Sequence, residues 1–97
     1  MKTRILRLEE AFELASILSK YVDVERLSPD ADALDFISDM VDKITPQEYL
    51  RCVAIMTKNT EEDIQKIEYS EILASFISGL QRNRVVSLLS FYKSMGS

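Results

Sequence analysis

Ninety-seven residues with one cysteine, no histidine, two glycines, two prolines and a net charge of −4 point to one small domain. That inventory excludes imidazole catalysis and an intrachain disulfide, leaves zinc without its usual ligand set, and leaves a cysteine nucleophile without its usual base. So little turn chemistry also excludes an extensive sheet, and the expectation is an all-α fold: a single compact domain over 1–97 of about five to six short helices.

In chain order, the first amphipathic helix is expected from Ile5 to Tyr21. Leu8, Phe12, Ala15, Leu18 and Val22 recur on one stripe, and Arg7, Glu9, Glu10, Glu13 and Lys20 are polar. Ser28-Pro29 supplies an N-cap and a first-turn proline for a second helix to about Lys43, with Leu34, Ile37, Val41 and Ile44 as its apolar stripe and Asp32, Asp35, Asp39 and Asp42 opposite. Thr45-Pro46-Gln47-Glu48 is a capping box. The Thr45 hydroxyl is expected to accept from the Glu48 amide and the Glu48 side chain to reach back to the Thr45 amide, opening a third helix to about Met56. Thr60 followed by Glu61, Glu62 and Asp63 marks a short fourth helix, because first-turn carboxylates meet the positive end of the helix dipole. Ser70 is expected to cap a fifth, with Ile72, Leu73, Phe76, Ile77 and Leu80 inward; Gly79 there either admits a neighbouring helix or ends its own. Asn83 could cap a sixth, and pattern alone leaves open whether 71–95 is one kinked helix or two.

The charge is unevenly spread. Lys2, Arg4 and Arg7 open the chain, eight carboxylates fall from Asp23 to Glu48, and Arg82, Arg84 and Lys93 close it with no acid after Glu71. Basic residues split between two ends do not make a nucleic-acid face. The opening is no signal peptide, since Glu9, Glu10 and Glu13 interrupt it, and no uncharged run approaches the ~20 residues that cross a bilayer. A lone cysteine fits a reducing, cytoplasmic setting.

Searching for chemistry gives little. Asp30, Asp32 and Asp35 start like a calcium loop, but the glycine and glutamate such a loop needs at its sixth and twelfth positions are missing. No glycine-rich phosphate loop is present, the paired glutamates sit on ordinary solvated helix faces, and Cys52 lies among apolar neighbours, so neither enzyme activity nor a cofactor or metal is expected. The informative segment is 71–97. Val85-Val86-Ser87-Leu88-Leu89-Ser90-Phe91-Tyr92 is apolar nearly all round a helix and must be buried in the core or against another protein. Val85, Val86, Leu89, Phe91 and Tyr92 are the expected contact residues of a docking or self-association surface, with Met40, Met56 and Met95 as adaptable additions.

The phrases Leu8-Glu9-Glu10-Ala11-Phe12-Glu13-Leu14-Ala15, Asp32-Ala33-Leu34-Asp35-Phe36-Ile37, Tyr49-Leu50-Arg51-Cys52-Val53 and Leu88-Leu89-Ser90-Phe91-Tyr92-Lys93-Ser94-Met95-Gly96 together resemble the tail assembly chaperones of long-tailed phages and prophages of Gram-positive bacteria. The resemblance implies a helical, non-enzymatic protein of the host bacterial cytoplasm that coats the hydrophobic tape-measure protein before the tail tube forms, as a homo-oligomer along it. It further implies a short form and a longer, frameshifted one; the ending after Tyr92 to Ser97 fits the short form. Two other classes compete. A small adaptor or antitoxin would mask one partner helix, and a helix-turn-helix regulator would use the short helices from Leu50 to Leu80, although Glu61, Glu62, Asp63, Glu68 and Glu71 oppose phosphate.

Overall fold

The computed structural model describes residues 1–22, Ile37, Met40 and 42–95. Among them the chain is all-α, with no strand and five helices in one globule: α1 (Leu8–Leu18), α2 (Pro46–Thr57), α3 (Glu61–Ile64), α4 (Tyr69–Arg82) and α5 (Val85–Met95). Most of the second helix expected from the sequence falls outside the described residues; Ile37 and Met40 are helical, Met40 is fully buried, and Asp42 and Lys43, expected at the helix end, lie in a turn whose Lys43 amide donates to the Met40 carbonyl at 2.9 Å. The aspartates of the calcium-like phrase, Asp30, Asp32 and Asp35, lie outside them too.

Helix α2 is the centre of the core. Its start is set as the sequence predicts: the Glu48 amide donates to Thr45 Oγ1 at 3.2 Å, and Pro46 occupies the first turn. The reciprocal half of the box is displaced, because the Glu48 carboxylate turns instead to Lys20 Nζ at 3.0 Å and to the Tyr21 hydroxyl, tying the end of α1 to the start of α2. Six consecutive residues, Cys52 to Thr57, are buried. One stripe cannot do that; it follows from covering the helix on several sides, by α1, α3 and α4 and by the extended N-terminal segment, whose Arg4 amide donates to the Met56 carbonyl at 2.9 Å. The helix ends at Lys58 in the left-handed region, φ 59°.

Helix α1 is shorter than its apolar period suggests. Residues before Leu8 are extended, and Glu10 reaches back to the Arg7 amide at 3.2 Å, which starts the helix at that point; at the other end a tight turn closes after Leu18, with the Tyr21 amide donating to the Leu18 carbonyl at 3.0 Å. Thr60 caps α3 as expected, its hydroxyl accepting from the Asp63 amide at 3.1 Å, and α3 is a single turn. Helix α4 begins at Tyr69 with Glu68 as its N-cap, so Ser70 lies inside the first turn and is not the cap. The Ile72 amide bonds back to the Glu68 carbonyl, which draws Ser70 into the helix.

Gly79 stays inside α4 and admits a neighbour. A methyl group on its Cα would stand 2.6 Å from Met56 Sδ and 3.1 Å from Met56 Cβ, and Met56 is itself fully buried. Gly79→Ala is therefore expected to destabilise by about 1–2 kcal/mol despite alanine's better helix propensity, because the core has no room for the displaced thioether. Urea unfolding of the pair checks this, and a more stable variant would show that Met56 finds another rotamer.

Candidate functional site

The break between α4 and α5 decides what the C-terminal apolar segment can do. Asn83 does not cap the following helix. It ends α4, its Nδ2 donating to the carbonyls of Gly79 at 2.9 Å and Arg4 at 3.0 Å while its Oδ1 accepts from the Leu6 amide at 2.8 Å. Arg84 then takes a positive φ of 49°, and α5 leaves in a new direction. So 71–95 is two helices, and the joint between them is fastened to the N-terminal segment.

That fastening aligns α5 with α1. Leu6 meets Asn83 at the start of each helix, and further along Phe12 stacks on Phe91 with ring centroids 6.2 Å apart and tilts against Tyr92 at 6.2 Å. The two helices therefore run side by side in the same direction. Of the sequence-predicted contact residues, Val85, Val86 and Leu89 are buried in the chain's own core, Tyr92 is half-buried and Phe91 is 53 % exposed. Met40 and Met56 are likewise buried, and only Met95 of the three methionines, at 59 %, reaches the surface.

The sequence placed the expected contact residues on α5, with Met40 and Met56 as additions; in the structure the apolar residues exposed beside α5 come from α1. Leu8 is 65 % exposed and Ile5 71 %, Phe12 is half-buried beneath Phe91, and Leu88 is half-buried on the same side of α5 as Phe91 and Met95. Leu8 and Phe12 lie one turn apart on α1, as do Leu88 and Phe91 on α5. Leu8 and Phe12 thus share one face of α1, and Leu88, Phe91 and Met95 one face of α5; the two faces meet at the Phe12–Phe91 stack and make an apolar seam there. The outer side of α5 next to the seam is Ser87, Ser90 and Ser94, exposed and uncharged. The only sequence signal for the α1 half is the width of its stripe.

On the other flank of α1, Arg4, Arg7, Glu9, Glu10 and Lys58 line a shallow cleft of about 300 Å³. Its charges are largely spent on each other: Arg4 forks onto Glu10 with its Nη2 2.5 Å from Oε2, and nearby Arg51 holds Glu13 at 2.6 Å. The hydrogen bond from Arg4, with the Arg7 amide behind it, holds the Glu10 carboxyl below its usual 4.5; hydrogen bonds from Tyr21 and then Lys20 do the same for Glu48. A carboxylate lowered by folding stabilises the native state above its unfolded value near 4.5, and that contribution is lost as the pH falls through the lower folded value. Glu48→Gln is therefore expected to flatten the acid limb of a circular-dichroism stability profile below pH of about 4.5 while leaving its neutral limb parallel to wild type. An unchanged acid limb would sink the assignment.

Cys52 is fully buried, and desolvation pushes its thiol up to about 12, so it stays protonated and unreactive at neutral pH. Tyr49 stacks on Phe76 with centroids 4.8 Å apart; burial likewise raises its phenol to about 12, and its hydroxyl has no hydrogen-bond partner among the described residues. Among the described residues no three His, Cys, Asp or Glu side chains converge on a point that could hold a metal ion, and no helix is long and apolar enough to cross a membrane. Helix α3, central to a helix-turn-helix reading, is one turn with exposed Glu61, Glu62 and Asp63. Comparison with protein-family models, with curated proteins and with solved structures returned no match for this chain.

Proposed function

We propose that the protein is a non-enzymatic tail assembly chaperone that binds the tape-measure protein during phage tail morphogenesis in the bacterial cytoplasm. The observation that carries this reading is the uncovered apolar seam of Leu8, Phe12, Leu88, Phe91 and Met95 along two parallel helices. An exposed apolar face shared by two helices can take the apolar stripe of a third, as amphipathic helices do when they dock, and a tape measure is a long helical rod offering such stripes repeatedly. The phrases that resemble the tail chaperones include both walls of the seam: Leu8 to Ala15 on α1 and Leu88 to Gly96 at the end of the chain. Many copies on one rod would sit shoulder to shoulder, so the proposal includes a homo-oligomer formed on the partner.

A small adaptor masking one helix would use the same seam, and stoichiometry separates the two. The test is co-expression with the tape-measure protein of a long-tailed phage of a Gram-positive host, followed by native mass spectrometry. Many copies of this chain per rod, with the rod kept soluble, support the chaperone. A defined one-to-one complex, or a tape measure that precipitates as it does alone, overturns it.

A further inference from the structure

We propose that the joint between α4 and α5 is a hinge at which the two helices straighten into one, so that α5 seats on α1 of a second copy and that copy's α5 seats on the α1 left bare. The break in the helix is confined to a single residue. Before it, the Asn83 amide still donates to the Gly79 carbonyl at 3.1 Å, and after it the Leu88 amide donates to the Arg84 carbonyl at 3.0 Å. Arg84 between them stands at φ 49°, a left-handed conformation that residues bearing a Cβ seldom adopt. Arginine also has no acceptor for the first amides of the helix it precedes, which makes it a poor cap. Straightening relieves both: Arg84 returns to the helical region, and the amides of Val85, Val86 and Ser87 take the carbonyls of Gln81, Arg82 and Asn83, four residues back. No glycine or proline stands between Leu80 and Met95, so nothing in the sequence prevents one helix over 69–95, about 40 Å long.

Packing decides where the swung helix goes. Helix α5 lies chiefly against α1 and much less against α4, with Val85, Val86 and Leu89 buried and Phe91 and Tyr92 against Phe12. An α5 swung off its own α1 would expose these residues to water, whereas the α1 of a second copy, bared in the same way, offers the identical surface. Each half of the exchanged dimer therefore keeps the α1–α5 contacts of the single chain, and only the joint differs. A joint this short and strained is the kind that favours exchange. Against it stand the bonds of Asn83 to Arg4 and Leu6, which belong to the bent form. Exchange thus grows with protein concentration, and the occupant of the bared α1 face is a second copy of this chain.

The test is sedimentation velocity on the full chain, equilibrated at concentrations from about 5 to about 500 μM. The comparison is Arg84→Gly with Arg84→Ala, since both remove the same exposed side chain and differ in backbone preference. Glycine accepts the left-handed turn and disfavours the straight helix, and each dimer contains two joints. Arg84→Gly is therefore expected to weaken the dimer at least about ten-fold relative to Arg84→Ala, with circular dichroism showing both folded. The path of α5 is read in the Arg84→Ala chain by adding Phe12→Cys and Phe91→Cys, at two positions whose rings stack at 6.2 Å, and bridging them with a short bismaleimide; Cys52 is fully buried and does not compete. Chains linked to one another are expected on a denaturing gel of the dimer fraction, and chains linked only to themselves in the monomer fraction. Three results would each overturn the hinge: Arg84→Ala monomeric at every concentration, dimers linked only within each chain, or dimers of equal strength in Arg84→Gly and Arg84→Ala. The last two would mean that intact copies meet at the seam. None of these readouts involves the tape-measure protein, so this inference and the proposed function fail separately.

Discussion

Leu89→Ala is expected to cost about 3 kcal/mol of stability, because Leu89 is fully buried and its loss leaves a cavity that the surrounding core fills only in part. For a domain of this size that corresponds to a melting temperature lower by about 15 °C, and total stability of about 5–15 kcal/mol makes it a large fraction of the whole. Thermal and urea unfolding both read the effect. Any loss of partner binding in this variant should follow the unfolded fraction and vanish at low temperature where the fold is intact. A variant that keeps its melting temperature but no longer binds would place Leu89 in the contact surface and not in the core.

Two residues along the same helix the expectation inverts. Phe91→Ser is expected to weaken partner binding by at least about 30-fold, the size of a central aromatic contact worth about 2 kcal/mol, while lowering stability by under about 1.5 kcal/mol. Phe91 keeps 53 % of its surface exposed, and its intramolecular contact is the stack on Phe12. Isothermal titration against the tape-measure protein, paired with a melting curve, measures both quantities on one sample. Unfolding comparable to Leu89→Ala would mean that Phe91 is core; unchanged binding would mean that the seam is not the docking site. Leu8→Ser on the facing helix is expected to act in the same direction, since the seam has two walls.

The contrast between Leu89 and Phe91 also shows where sequence reading runs out. A stretch that is apolar all round announces burial without saying against what, and Val85, Val86, Leu89, Phe91 and Tyr92 look alike in it. The direction in which α5 leaves α4 separates them, and that direction depends on Arg84 at positive φ and on Asn83 bonding to Arg4 and Leu6, contacts spanning almost the whole chain. No local pattern encodes them. The same long-range bonds hold Ile5 in an extended segment although its apolar spacing continues the α1 stripe. Helix starts were more legible where a short polar side chain meets a nearby amide, as at Thr45 and Thr60; Ser70 misled because a backbone bond at Glu68 starts the helix earlier.

By itself the sequence determined the helical class, the caps at Thr45 and Thr60, the presence of an apolar surplus near the C-terminus and, on α4, the inward Ile72, Phe76 and Leu80; Leu73 and Ile77, expected inward with them, are only half-buried, and Ser75 and Gly79 are buried instead. What it determined follows from residues within a few positions of one another, where backbone geometry and the 3.6-residue period are the governing physics. Only the tertiary structure decided that α2 is the covered centre, that Gly79 exists for Met56, and that the surplus is split between the core and a seam shared with α1. Those outcomes depend on which surfaces meet. Burial is non-directional and favours any apolar pairing nearly equally, and a few specific bonds, with Asn83 at their centre, select one arrangement among them.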